Sequence, residues 1–157
     1  MLEVEIPGRG PLRLAHLVLD VNGTIALDGV LLPGVADRLR DLGGSLAIHL
    51  LTADTHGRQA ELDRALGLQA TRLTTERSQV EQKAEHIRRL GADQVVAIGN
   101  GANDARMLRE AALGIAVVGA EGAAVAALRE ADVVVTDVLA ALDLLRNPRR
   151  LVATLRE

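Results

Sequence analysis

The chain has 157 residues, a formal net charge of −3 and no cysteine, which excludes disulfides, thiolate nucleophiles and cysteine-based zinc sites. Hydrophobic residues make up 48% and charged residues 25%, the balance of a chain that can bury a real core. Phe, Trp and Tyr are absent and the isoelectric point is 5.8, so the chain offers neither base stacking nor a polycationic face to nucleic acid.

No apolar run reaches the roughly 18 residues of a membrane span, and acidic Glu3 and Glu5 do not suit a signal peptide. The expectation is one cytoplasmic domain over residues 1–157, without a linker, repeat or low-complexity segment.

In chain order, residues 2–6 and 12–14 flank Pro7-Gly8-Arg9-Gly10-Pro11 and read as a β-hairpin. Residues 16–20 form a short apolar strand ending in Asp20. Residues 25–32 read as a second small hairpin around Asp28-Gly29. A helix over 34–42 closes at Gly43-Gly44, and an apolar strand over 45–51 ends at Thr52. Residues 57–66 are helical and 69–73 a short strand. The clearest helix is 78–90, where Ser78 and Glu81 give a capping-box pattern and Gly91 a stop. After it come a strand over 94–98, a helix over 103–113 ending at Gly114, and a strand over 115–118. The remaining elements are a helix over 123–130, a strand over 132–135, a helix over 138–145, and a last helix from Pro148.

Strands alternating with helices, and apolar on both faces, imply an α/β fold with a doubly wound, mostly parallel sheet. Ligands of such sheets lie beyond the carboxyl ends of the strands. The polar residues at those positions are Asp20, Thr52 and the Gly99–Asp104 loop.

Each has an ordinary and a chemical reading. Asp20-Val21-Asn22-Gly23-Thr24 is either an Asn-Gly turn or a strand-terminal carboxylate nucleophile whose turn N–H groups face an incoming phosphate. Thr52 either caps the next helix or donates to a phosphoryl oxygen. Lys83 is the only lysine among 18 Lys and Arg residues. It is either a surface residue or a point charge placed for an anion, where arginine does not serve. In Gly99-Asn100-Gly101-Ala102-Asn103-Asp104, Asn103 or Asp104 caps a helix, or the oxygens bind Mg²⁺, a hard cation. His16 and His49 lie within apolar strands and read as structural, His56 lies near the site edge, and no histidine spacing suggests zinc.

In this order, the four segments resemble the haloacid dehalogenase-like superfamily, whose pattern is Asp-x-Asp-Gly-Thr, then Thr or Ser, then Lys, then an acidic loop. The resemblance spans nearly the whole chain. Gly99-Asn100-Gly101-Ala102-Asn103-Asp104 and the following Leu113-Gly114-Ile115-Ala116-Val117 are similar to the branch of P-type ATPases and phosphoserine-phosphatase-like enzymes, and most of all to soluble P-type ATPase-like phosphatases.

The resemblance implies a Rossmann-like core and a phosphatase or phosphotransferase that forms an aspartyl-phosphate on Asp20. It implies Mg²⁺ held by Asp20, the Asn22 main-chain carbonyl, Asn100 and Asp104, with Asp104 supporting either the metal or Lys83. It sets Gly23, Thr24, Thr52, Ala53, Lys83 and Asn103 around the phosphoryl group. Asn22 and Asn100 stand where the family has aspartates. The first loses the general acid–base and the second weakens the metal site, so turnover is expected to be slow. Neither Asp20–Thr52 nor Thr52–Lys83 has room for a cap domain. Capless members act on large substrates or form homo-oligomers in which a neighbour covers the site. The competing reading is a non-catalytic phosphate-binding or regulatory protein acting through contacts, and Asn22 and Asn100 favour it.

Overall fold

The N-terminal residues form the expected antiparallel hairpin, β1 (Leu2–Ile6) with β2 (Gly10–Leu14), in the computed structural model, which describes residues 1–157. Alternation along both strands turns Val4, Ile6, Leu12 and Leu14 inward. At the turn, Arg9 donates to the Asp132 carboxylate (2.8 Å) and the Ala112 carbonyl (3.1 Å), tying the hairpin to the sheet.

The chain then alternates. β3 (His16–Asp20) leads to a flap of two short strands, β4 (Ala26–Leu27) and β5 (Val30–Leu31). These are followed by α1 (Val35–Leu42), β6 (Ala47–Thr52), α2 (Gln59–Leu66), β7 (Thr71–Arg72), α3 (Gln79–Leu90) and β8 (Val95–Gly99). The rest is α4 (Ala105–Glu110), β9 (Leu113–Val117), α5 (Val125–Glu130), β10 (Val133–Val135), α6 (Val138–Arg146) and α7 (Pro148–Leu155). Six strands make one parallel sheet in the order β10-β9-β8-β3-β6-β7. The fold is therefore the expected doubly wound α/β sheet with an N-terminal hairpin. From β3 the chain winds outward to β6 and β7, then returns to β8 on the other side. The strand order thus reverses at β3, and a crevice opens there.

Leu, Ile, Val and Ala replace aromatic packing on both faces. Leu17, Leu19, Leu50, Val96 and Ile98 are buried with the hairpin, α1, α6 and α7. Val18, Leu51, Val95 and Ala97 are buried with Ile87 of α3, Met107 and Leu108 of α4 and Ala127 of α5. Each large aliphatic side chain so buried contributes about 1.5–3 kcal/mol. No helix is long and apolar enough to cross a membrane.

One helix differs from its sequence reading. Instead of running from Asn103 to Leu113, the segment begins as a 3₁₀ turn (Ala102–Asp104), continues as α4 to Glu110, and gives Leu113 to β9. Gly114 is not a helix stop. It lies inside β9, where an added Cβ would sit 2.3 Å from the Leu108 carbonyl oxygen, so the glycine permits close contact between strand and helix. Gly114→Ala is accordingly expected to destabilise the protein by about 1–3 kcal/mol, read as a lowered melting temperature; an unchanged melting curve would show that the α4–β9 contact yields freely.

The histidines on the α3 face gather below the crevice. His16 Nδ1 and His49 Nε2 are 3.1 Å apart, and the His49 and His86 rings meet edge to face at 5.5 Å. Arg89 donates to His86 Nδ1 (2.9 Å), which fixes the proton on a buried Nε2 that has no partner. Burial first, then the neighbouring His49 and Arg89, push His86 down to about 4. Below pH 6.5 an unfolded chain takes up a proton at this position that the fold refuses, so His86 costs stability as pH falls toward 4. The melting-temperature advantage of the wild type over His86→Gln should shrink between pH 7.5 and pH 5. A constant difference would mean that His86 titrates alike in both states.

Candidate active site

Asp20, Thr52 and Gly99 end β3, β6 and β8, the three central strands, and so converge at the crevice. The same edge receives Lys83, one turn into α3. That helix starts where expected, with the Ser78 hydroxyl accepting from the Glu81 N–H (3.4 Å). Lys83 is 1% exposed, and its ammonium donates to Asp20 Oδ1 (2.7 Å) and Asp104 Oδ1 (2.6 Å). Lys83 is therefore not the solvated surface residue of the ordinary reading.

Two carboxylates and one ammonium leave an excess negative charge in a buried place. Burial and the repulsion of Asp104 push Asp20 up to about 7, against the pull of Lys83. Burial works against the charge of Lys83 as well, but Asp20 and Asp104 together hold it above the ordinary lysine range.

Asp104 is fully buried. While Oδ1 meets Lys83, Oδ2 accepts from the main-chain N–H groups of Asn100 (3.0 Å) and Gly101 (2.9 Å). With both oxygens engaged, the geometry supports the Lys83 role of Asp104 over the metal role. Gly99 makes this possible, since a Cβ there would lie 2.5 Å from Asp104 Cγ. Thr52 is 1% exposed and its hydroxyl accepts from the Asp54 N–H (2.9 Å), which leaves its own proton to donate. It does not cap α2, which begins seven residues later.

A cavity of about 280 Å³ opens at this edge, lined by Asp20, Asn22, Thr52, Ala53, Lys83, Asn100 and Asn103. The Asn103 amide donates to Gln79 Oε1 (2.8 Å).

Two expected phosphate contacts are corrected. The Gly23 N–H is taken by the Ala26 carbonyl (2.7 Å) and the Thr24 N–H by the Val21 carbonyl (3.2 Å). These turn amides close the flap and do not face the cavity. The Thr24 side chain is buried, its hydroxyl between Asp20 Oδ2 (3.2 Å) and Asn100 Oδ1 (3.3 Å). Both residues line instead a neighbouring, largely apolar cavity of about 470 Å³. At the ends of β3 and β6, by contrast, the Asn22 and Ala53 amides bond to no group in the protein. Both residues line the polar cavity, and one of the two amides was missed by the sequence reading. The reading also missed Gln79, Thr55 and Glu121, which line it too, whereas His56 is exposed at the edge as expected.

The donor set suits a hard cation. Asp20 and the side chain of Asn100 offer oxygens, the turn at Asn22 offers a carbonyl, and the excess negative charge favours a cation. No three His, Cys, Asp or Glu side chains are gathered into a cage.

Comparison with known proteins agrees with this geometry. Residues 77–137, which hold Lys83 and the Asn100–Asp104 loop, match the family described as haloacid dehalogenase-like hydrolase. An uncharacterized protein of Methanocaldococcus jannaschii is 50% identical over 64 residues, 41% of this chain and 69% of the relative. Among solved structures, the fold is similar to that of 3-deoxy-D-manno-octulosonate 8-phosphate phosphatase from Moraxella catarrhalis, in complex with magnesium ion, phosphate ion and KDO. That likeness has a TM-score of 0.67 at 16% identity and covers 92% of this chain and 95% of the other. A phospho-aspartyl intermediate analogue of phosphoserine phosphatase aligns with a TM-score of 0.63 at 15% identity, covering 86% and 99%.

Proposed function

Because the chain belongs to the haloacid dehalogenase-like hydrolases, we propose that it is a slow Mg²⁺-dependent phosphatase or phosphotransferase, in which Asp20 accepts the phosphoryl group. The observation that carries this reading is the buried Asp20–Lys83–Asp104 arrangement at the carboxyl ends of the central strands. An ion pair kept this far from water costs several kcal/mol in desolvation and is weak evidence for stability alone, which makes a functional reason for it the better account. The solved phosphatases with magnesium, phosphate and a phospho-aspartyl analogue support the same chemistry.

Asp20 attacks phosphorus in line, the bond from phosphorus to the leaving oxygen breaks, and that oxygen takes its proton from water. Water then attacks the aspartyl-phosphate and releases phosphate and the Asp20 carboxylate. Lys83 holds the nucleophile and then neutralises phosphoryl oxygens. The Thr52 hydroxyl and the free N–H groups of Asn22 and Ala53 orient them. Bound Mg²⁺ would supply charge neutralisation between two anions that otherwise repel. Asp20, the Asn22 carbonyl and Asn100 would hold it.

No group stands at position 22 to shuttle the proton. Asn22→Asp should therefore raise turnover of an aryl phosphate, by roughly 10²-fold if general acid–base help is what is missing. No gain would place the limit elsewhere.

Within the family we place the chain with the soluble P-type ATPase-like phosphatases, on the Gly99–Asp104 and Leu113–Val117 segments. Residues 1–157 act as one domain on a phosphorylated substrate. The flap at Leu27–Leu32, beside the crevice, and the hairpin β1–β2, at the amino ends of the strands, are the contact surfaces we propose for a second copy. Intact-protein mass after incubation with acetyl phosphate and Mg²⁺ tests the reading. A single phosphoryl adduct that needs the metal is expected. No adduct at saturating Mg²⁺ would favour the non-catalytic phosphate-binding alternative, to which Asn22 and Asn100 lend support.

A further inference from the structure

Glu121 lies in the turn Gly119–Gly122 between β9 and α5, which the Gly122 N–H closes onto the Gly119 carbonyl (2.9 Å). Gly122 is left-handed there (φ 73°). The turn is fastened to Asn100 in both directions. The Asn100 side-chain amide donates to the Gly122 carbonyl (3.3 Å), and the Asn100 carbonyl accepts from the Ala124 N–H (2.8 Å). This sets the Glu121 carboxylate over Gly23. A Cβ on Gly23 would lie 2.1 Å from Glu121 Oε2 and 2.9 Å from Asn100 Nδ2. Glu121 thus shares a wall of the polar cavity with Asn100 and lines it together with Asp20 and Asn22. Lys83, the one Lys or Arg among those lining residues, is already paired with Asp20 and Asp104.

We propose that Glu121 is a metal-ligating carboxylate of this site, contributing from the β9–α5 turn the negative charge that Asn100 does not carry. The inference rests on the Mg²⁺-dependent reading and adds a residue to it. An amide oxygen is a weaker donor than a carboxylate for a hard cation. With Asp104 committed to Lys83 and two main-chain amides, Asp20 is otherwise the only carboxylate left for the metal. The exposed Glu121 side chain reaches the metal directly or through a bound water by rotation about its own bonds, while its main chain stays tied to Asn100.

The test is direct metal binding without substrate, by calorimetric titration of Mg²⁺ and Mn²⁺ into the full chain. The wild type, Glu121→Gln, Asn100→Asp, the double variant and Asp20→Asn are compared. Glu121→Gln is expected to weaken binding about tenfold, in the range seen when metal-supporting groups are removed, with an unchanged melting temperature in chelator. Asn100→Asp should restore the affinity in the Glu121→Gln background. Wild-type binding that Asp20→Asn weakens and Glu121→Gln does not would overturn this inference alone. No saturable binding by the wild type would overturn it together with the Mg²⁺-dependent reading.

Discussion

Asp20→Asn should abolish turnover of an activated aryl phosphate while leaving the protein folded. The amide keeps the shape of the carboxylate but cannot attack phosphorus. Loss of a covalent nucleophile costs about 10⁴-fold or more in turnover where it has been measured. The fold should not suffer. Asp20 is a buried carboxylate already pushed up to about 7 by burial and by Asp104, so a neutral group in its place relieves repulsion. Lys83 keeps its second partner at 2.6 Å. The expected pair of results is thus no activity with a melting temperature equal to or above that of the wild type in chelator. A variant within tenfold of wild-type activity would remove Asp20 as the nucleophile, and a collapsed fold would contradict the electrostatic account of the site.

Lys83→Met should have the opposite signature, losing stability as well as activity. Without the ammonium, Asp20 and Asp104 face each other with no counter-ion in a place where Lys83 itself is 1% exposed. Breaking a buried ion pair on one side costs about 3–5 kcal/mol, because the remaining charge stays desolvated. Pairing it with Asp104→Asn should recover much of the melting temperature and none of the activity. That contrast separates the electrostatic part of Lys83 from its catalytic part. Lys83→Arg should rescue neither, since a planar guanidinium does not fit a space closed around a single ammonium. A Lys83→Met protein as stable as the wild type would mean that the two carboxylates shed their charge by taking up protons.

Much of this was legible in the chain itself. Apolar runs stop at Asp20, Thr52 and Gly99, and in a parallel sheet such stops share one edge. Lys83 stood out because every other basic residue is arginine. What the sequence concealed depends on distances between remote segments. Gly114 looked like a helix terminator because its neighbour, the Leu108 carbonyl, becomes visible only when β9 lies against α4. The Gly23 and Thr24 amides looked free because their acceptors, Ala26 and Val21, follow from the shape of the flap. Glu121 is one acidic residue in a Gly-rich turn, and no local pattern marks it. Its significance comes from the Asn100 bonds that carry the turn to the site.

The two carboxylates that grip Lys83 come from opposite sides of it in the chain, 63 and 21 residues away. The ammonium therefore acts as a clasp across three segments, and the pocket closes only when all three are in place. Its assembly is inseparable from the closing of the whole sheet and has no local precursor. Asp104 extends the clasp to the Asn100 and Gly101 amides through its second oxygen. Those two protons should exchange with solvent only on global opening, which makes them built-in reporters of the pocket's integrity.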